Sequence, residues 1–159
     1  MGVLKSHIVT TLKPGQTVLD LGGGDFSKIL TDRGLIVRSV DIKSGLSIED
    51  WFAGDPTETY DAILLLNVLQ FLDRTWALDS LLPSLVLNLN EGGKVYIETF
   101  TVQPTPPFLH KLSFYGIDDL LIGCDLLRPL HAMVGSHTGP GLDGTIREFH
   151  IVDFIGEKL

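Results

Sequence analysis

Three consecutive glycines, Gly22, Gly23 and Gly24, separate a strand-like run from a helix-like segment and are flanked by the carboxylates of Asp20 and Asp25. Glycines let a ligand approach the backbone closely, and the first turn of a helix offers free N–H groups. A tight strand-to-helix turn without a ligand has the same residue pattern. The pattern therefore predicts either a ligand site or a plain turn, and features elsewhere in the chain must decide between them.

An acidic residue at the end of the next strand-like run, Asp41, favours the ligand. In nucleotide-binding α/β domains, a carboxylate at this place accepts hydrogen bonds from ribose hydroxyls. A dinucleotide would bring its pyrophosphate next to Asp20 and Asp25, and like charges at short range repel. In addition, Ser27 stands where the dinucleotide pattern has Gly or Ala. The residues thus favour a positively charged cofactor without phosphate, such as S-adenosylmethionine, and disfavour a nicotinamide-dependent oxidoreductase.

The run VLDLGGGDFS resembles the first motif of the class I S-adenosylmethionine-dependent methyltransferases, which has an acidic residue followed by alternating glycines. Asp20, Gly22 and Gly24 match that motif, and Phe26 replaces its last glycine. The resemblance implies that Asp20 and the residues Gly22, Gly23 and Gly24 bind S-adenosylmethionine.

Further runs resemble later motifs of the same family, in the same order over most of residues 14–100. SVDI is similar to the second motif, which implies that Asp41 and Ile42 contact the ribose side of the cofactor. YDAILLLNVLQFLD is similar to the fourth-strand motif, which implies that Asn67 and Val68 line the methionine end. LNEGGKVYIETF is similar to the segment that leads into the fifth strand.

The chain is short in one place compared with that family. Only 19 residues lie between Asp41 and Asp61, where the family has a helix, a strand and a loop, so we expect one of these elements to be lost. The family's third motif carries an acidic residue that meets adenine, and Asp50 with Trp51 is the candidate here. A helix start explains the same residues equally well. Ser47 would cap the helix, and the Asp50 side chain would accept a hydrogen bond from the backbone of Ser47 in return.

Strand-like and helix-like segments alternate along the chain, which predicts an α/β fold with a mostly parallel sheet. Together with the resemblance, this predicts one Rossmann-like domain over residues 1–159. We expect six to seven strands with helices on both faces, an antiparallel closing strand, and an abbreviated stretch between strands two and four. Residues 14–100 would form the cofactor-binding half and residues 101–159 the substrate-facing half. The predicted strands are residues 17–21, 35–40, 60–66, 94–99, 126–134 and 145–155. A short helix is expected at 117–123, and Pro83 should kink or split the helix whose apolar spacing runs over 78–89. Residues 101–116 hold three prolines and are expected to form a loop or lid.

Methyl transfer from a sulfonium is an in-line displacement, so the main task of the protein is to align donor and acceptor. Some acceptors also need a base. The candidates in the substrate-facing half are His110, His137 and Tyr115, followed by His131, His150 and Asp125. A structural role explains each histidine as well. Because only about a dozen residues precede the turn at Pro14-Gly15, we expect residues 101–116 and 135–144 to roof the site and residues 101–116 to line its substrate side.

Composition excludes several other classes. Lys and Arg number 12 and Asp and Glu number 20, giving a net charge of −8, and such a chain is repelled by phosphate backbones. The only cysteine, Cys124, excludes an intramolecular disulfide and a cysteine metal cage. No apolar run approaches the roughly 20 residues of a membrane span. We therefore expect a cytoplasmic, metal-free methyltransferase acting on a small molecule or a protein, with a catalytically weak or inactive binding module as the alternative.

Overall fold

The computed structural model describes residues 2–159, without the side chain of Ser44. Its helices and strands, in chain order, are α1 (Val3–Thr11), β1 (Thr17–Leu21), α2 (Asp25–Asp32), β2 (Ile36–Val40), α3 (Ile48–Ala53), β3 (Tyr60–Leu66), α4 (Arg74–Trp76), α5 (Leu82–Ser84), β4 (Leu89–Phe100), α6 (Ile117–Gly123), β5 (Arg128–Pro140) and β6 (Ile146–Glu157). The strands form one sheet in the order β2-β1-β3-β4-β6-β5. The pairs among the first four strands are parallel, and β6 and β5 are antiparallel. The predicted Rossmann-like α/β class is confirmed.

The sheet is buried on both faces at its centre. In β3, the consecutive residues Ala62, Ile63, Leu64 and Leu65 have no exposed surface. Continuous rather than alternating apolarity is typical of a parallel strand covered by helices on both sides. Its neighbours β1 and β4 pair with it in parallel. The carboxyl ends of the three strands therefore meet at the same edge of the sheet.

Helices cover both faces, as predicted. On one face, called here the α1 face, α1 and α2 bury apolar side chains against the sheet around Ile8, Leu30 and Tyr96. On the opposite face, called the α6 face, α3, the segment 74–88 and α6 form the larger core around Leu81 and Leu120. None of the helices within residues 2–159 has both the length and the apolar character needed to cross a bilayer.

The helical segment 74–88 is composite, as Pro83 predicted. A π-helical stretch, Ala77–Leu81, follows α4, and a 3-10 turn, Leu85–Asn88, follows α5. Proline has no N–H and collides with the preceding turn of an α-helix. A wider π turn next to it relieves both problems.

The stretch between β2 and β3 has lost a strand. A 3-10 turn, Ile42–Ser44, and the short helix α3 are the regular elements there, and the chain then enters β3. As a result, β2 is the edge of the sheet within the described residues, and Ile36 is 61% exposed.

The predicted connection at residues 135–144 is wrong. β5 continues to Pro140, and β6 begins at Ile146, so the turn between them is short. Gly135 pairs with Ile151 and Pro140 with Ile146 across the antiparallel ladder. Glycines are poor strand formers, but this pairing satisfies their backbone groups regardless of side chain.

Candidate functional site

The predicted cofactor residues meet at one edge of the sheet. The order in which successive strands are added to the sheet reverses at β1, since β2 lies on one side of β1 and β3 on the other. In open α/β sheets, ligands bind at such a switch point, outside the carboxyl ends of the strands. The glycine turn follows β1, Asp41 follows β2 and Asn67 follows β3, so all three lie at that crevice.

Asp20 is a buried carboxylate directly beneath the glycine turn. It is 2% exposed, and the Ser27 hydroxyl donates a hydrogen bond of 2.5 Å to its Oδ2 atom. Burial raises the pKa of Asp20, and the nearby negative charge of Asp41 acts in the same direction. The bond from Ser27 and the charge of Lys5 oppose that shift. The sequence analysis interpreted Ser27 only as a departure from a dinucleotide pattern. Its position seven residues after Asp20 was the available signal that its hydroxyl could bond to that carboxylate.

The three glycines serve three different purposes. A Cβ atom on Gly22, whose φ is +79°, would lie 2.6 Å from Cγ2 of Val68. A Cβ atom on Gly23 would collide with Asp20 and lie 2.6 Å from the Ser27 hydroxyl. A Cβ atom on Gly24 would meet no atom within 4 Å. The first two glycines therefore close the turn, and the third leaves open space in which a ligand can approach the backbone.

Asp41 and Ile42, which the resemblance places on the ribose side, follow β2, and a ribose contact by either stays a prediction. Asp41 follows β2, and its Oδ1 atom accepts a hydrogen bond of 3.1 Å from the backbone of Lys43. Ile42 is exposed beside it.

The Ser47 cap in the helix-start interpretation of residues 47–50 is confirmed. The Ser47 hydroxyl accepts a hydrogen bond of 3.1 Å from the backbone N–H of Asp50, at the beginning of α3. Asp50 is exposed, and the Trp51 ring stands edge-on to Phe52 at 4.9 Å between centroids. Adenine contact by Asp50 and Trp51 stays a prediction.

Asn67 is held in a left-handed conformation, with φ of 57°, by Glu98 on the neighbouring strand. Its backbone N–H donates to the Glu98 carbonyl and its Nδ2 to the Glu98 carboxylate, each at 2.7 Å. Glu98 is 9% exposed and lies opposite Asp153 in the β4–β6 ladder. Burial and the neighbouring Glu98 carboxylate raise the pKa of Asp153 to about 7. The sequence analysis did not predict the pairing of Glu98 with Asp153. The available signal was Glu98 itself, a single charged residue near the end of an apolar strand.

Beyond Asn67 along the same edge lies a group of rings, Phe100, Phe108 and Phe149, called here the aromatic cluster. Phe108 lies parallel to Phe100 at 6.3 Å, and His110 packs against Phe108 at 5.4 Å. His137 stacks on Phe149 at 5.2 Å. Both histidines are exposed. The fold therefore brings two residues predicted from separate segments onto one cluster.

Residues 101–116 form the irregular segment that the prolines predicted, and Arg147 holds it in place. The Arg147 Nε atom donates to the Pro106 carbonyl at 2.9 Å, and its guanidinium lies 4.0 Å from the centre of the Phe108 ring. Asp143 accepts two further bonds from that guanidinium, at 2.7 and 2.8 Å. Thr105 exchanges two backbone bonds with Glu148 on β6. Residues 101–116 are thus attached to the β5–β6 hairpin.

Tyr115 requires a correction as a catalytic candidate. It has no exposed surface, its hydroxyl donates to the Leu69 carbonyl at 3.1 Å, and burial raises its pKa to about 12. A phenol in that position supports the fold and does not face an acceptor. His150 lies 3.1 Å from a Glu148 carboxylate oxygen, and His131 lines a cavity beside α1.

Asp125 is exposed in the turn after α6, and Cys124 is buried. Over the described chain, no three His, Cys, Asp or Glu side chains are arranged so that they could hold a metal ion.

Comparison with known proteins identifies the fold. The sequence matches no protein-family model and no curated protein. Solved structures match strongly, and many are S-adenosylmethionine-dependent methyltransferases. The chain therefore has the class I S-adenosylmethionine-dependent methyltransferase fold.

Three particular structures illustrate the similarity. TehB from Haemophilus influenzae superposes with a TM-score of 0.78 at 19% identity over 100% of this chain, which spans 63% of TehB. An S-adenosylmethionine-dependent methyltransferase from Methanosarcina mazei gives 0.69 at 13% identity, covering 96% of this chain and 97% of that one. One from Archaeoglobus fulgidus gives 0.67 at 14% identity, covering 98% and 93%.

The glycine turn predicts unequal responses to alanine. Gly23→Ala places a methyl group against the Asp20–Ser27 hydrogen bond, so unfolding in urea should require about 1–3 kcal/mol less free energy, the usual cost of overpacking. Gly24→Ala meets no protein atom and should change the free energy of unfolding by less than about 0.5 kcal/mol. Equal losses for the two variants would contradict the assigned roles.

The structural role of Tyr115 predicts that Tyr115→Phe lowers the free energy of unfolding by about 1 kcal/mol, because the Leu69 carbonyl loses its donor. Any transferase activity should persist at its original pH dependence, since the hydroxyl is buried. Thermal unfolding and a pH profile of turnover measure the two effects. Loss of activity in a stably folded variant would restore Tyr115 as a catalytic candidate.

Proposed function

We propose that this protein transfers a methyl group from S-adenosylmethionine to a small-molecule acceptor by in-line displacement. One observation carries the proposal: the open space at Gly24 lies beside two carboxylates, Asp20 and Asp41, at the switch point of a methyltransferase fold. When bound, S-adenosylmethionine supplies an activated methyl group on a sulfonium. Its two positive centres and its lack of phosphate suit this acidic site better than a dinucleotide does.

The residues at the carboxyl ends of the strands have separate roles in cofactor binding. Gly24 admits the cofactor, and Asp41 accepts hydrogen bonds from the ribose hydroxyls. Asn67, fixed by Glu98, and Val68 line the methionine end. Rigid attachment of these groups matters because alignment of donor and acceptor supplies much of the rate, about 7–11 kcal/mol of barrier in favourable cases.

The acceptor would lie next to the aromatic cluster. Rings give an acceptor apolar contact area, and His110 and His137, at the two ends of the cluster, are the candidate general bases. The net charge of −8 favours a small molecule, or a protein, over a nucleic acid. We place the reaction in the cytoplasm.

The decisive experiment compares cofactors. In calorimetric titrations of the full chain, S-adenosylhomocysteine should bind saturably and NAD should not, because the pyrophosphate of NAD would lie beside Asp20 and Asp25. Binding of NAD without any response to S-adenosylhomocysteine would overturn the proposal. Binding of S-adenosylhomocysteine without turnover on a panel of amines, thiols, phenols and carboxylic acids would support the inactive binding module instead.

The ribose role of Asp41 predicts that Asp41→Ala weakens S-adenosylhomocysteine binding by about 1–3 kcal/mol, the value of charge-assisted hydrogen bonds. Asp41→Asn keeps an acceptor for the Lys43 backbone and separates loss of ribose contact from loss of the local turn. The exposed Asp79 on the far side of segment 74–88 provides a charge-matched control, and Asp79→Asn should leave affinity unchanged. Equal affinities for all three variants would refute the assignment.

A further inference from the structure

The cavity beside α1 lies on the α1 face, away from the glycine turn. Its volume is about 350 Å³, which is within the size range of small-molecule sites. It lies between α1 and strands β4, β5 and β6. The lining residues are Val3, Leu4, His7, Thr11, Lys94, Tyr96, Leu130, His131, Asp153 and Ile155.

Two polar atoms of residues that line this cavity lack partners. The Tyr96 hydroxyl and the Oδ1 atom of Asp153 are buried and make no hydrogen bond with any described residue. Tyr96 as a whole has no exposed surface. An unsatisfied buried polar group costs about 1–3 kcal/mol, and two of them beside one cavity point to a bound molecule that satisfies both.

The charges around the cavity favour a cation. Asp153 faces Glu98 across the β4–β6 ladder, and Glu157 is close enough to Tyr96 to raise its pKa. The basic groups are less available: Lys94 lies 3.9 Å from a Glu157 carboxylate oxygen, and His7 is exposed at the rim. Asp153 is therefore the carboxylate in the cavity lining, with Glu98 opposite it in the ladder, and it would repel an anion and attract a cation.

We propose that this cavity binds a small organic ammonium ion. Its N–H groups would donate to Oδ1 of Asp153 and to the Tyr96 hydroxyl oxygen, and its hydrocarbon part would pack against Leu4, Leu130 and Ile155. This satisfies both unpartnered atoms with one ligand class. The residues that would contact the ammonium ion lie outside the glycine turn.

The test uses n-butylammonium chloride and sodium butyrate with the full chain at pH 8. In amide NMR titrations, butylammonium should shift resonances of α1, β4 and β6 saturably, with a dissociation constant on the order of millimolar for so small a ligand. Butyrate should cause no saturable shift there. Equal binding of the two ions, or none by butylammonium at about 20 mM, would overturn the proposal, whatever the outcome with S-adenosylhomocysteine.

Two variants locate the contact. Asp153→Asn removes the carboxylate and should weaken butylammonium binding at least about tenfold. Tyr96→Phe removes an unpartnered hydroxyl, so the protein should fold at least as stably as before and bind butylammonium about threefold more weakly. Asp118→Asn, on the exposed surface of α6, is the matched control and should bind as the original chain does. Unchanged affinity in a folded Tyr96→Phe or Asp153→Asn variant would contradict the assignment.

The affinity should depend on pH in a defined direction. The pKa of Asp153 is raised to about 7, so the carboxylate that attracts an ammonium ion forms as pH rises, and binding should tighten between about pH 6 and 8. The other titratable and charged groups facing this space are His7 on α1, Lys94, Tyr96 and Glu98 on β4, His131 on β5 and Glu157 on β6. Asp153→Asn should therefore reduce the pH dependence, and an unchanged pH profile in this variant would refute the role of Asp153.

Discussion

The buried carboxylate of Asp20 is the constraint around which the glycine turn is organised. A charge at 2% exposure is costly unless hydrogen bonds or opposite charges compensate for lost water. Ser27 provides the bond at 2.5 Å, and that bond fits only because residue 23 has no side chain. Helix α2 must then begin at Asp25 to bring Ser27 over Asp20. One electrostatic requirement thus determines the turn, the helix start and the open approach at Gly24.

Glu98 extends the same principle to the other half of the sheet. Its carboxylate accepts from Asn67, which fixes the residue after β3, and faces Asp153 on β6. The parallel half of the sheet and the antiparallel closing strands are therefore joined by buried acidic side chains as well as by the backbone ladder. Because acidic groups occur on both sides of the sheet edge, both the glycine crevice and the cavity beside α1 offer negative potential to a ligand.

The sequence predicted the elements whose signals are local. β1, β3 and α6 agree with the predicted residues, and the helix split at Pro83 follows from the chemistry of proline. The hairpin was misjudged because Gly135 resembles a loop residue, and only pairing with β6 makes it a strand. Tyr115 was misjudged for a related reason: polarity marks a residue as a candidate, but burial is decided by segments distant in sequence. Glu98 and Asp153 are 55 residues apart in numbering, so no local pattern could join them.

Arg147 shows why the two predicted roof segments cannot act separately. Its guanidinium is buried among the Pro106 carbonyl, the Phe108 ring and the Asp143 carboxylate, so it joins residues 101–116 to the hairpin turn. Moving residues 101–116 alone would leave a buried guanidinium with fewer partners, which is strongly unfavourable. Movement of residues 101–116 together with the hairpin end preserves these bonds. Access to the aromatic cluster is therefore governed by the hairpin end and residues 101–116 as one unit, and His110 and His137 keep their places on its rings.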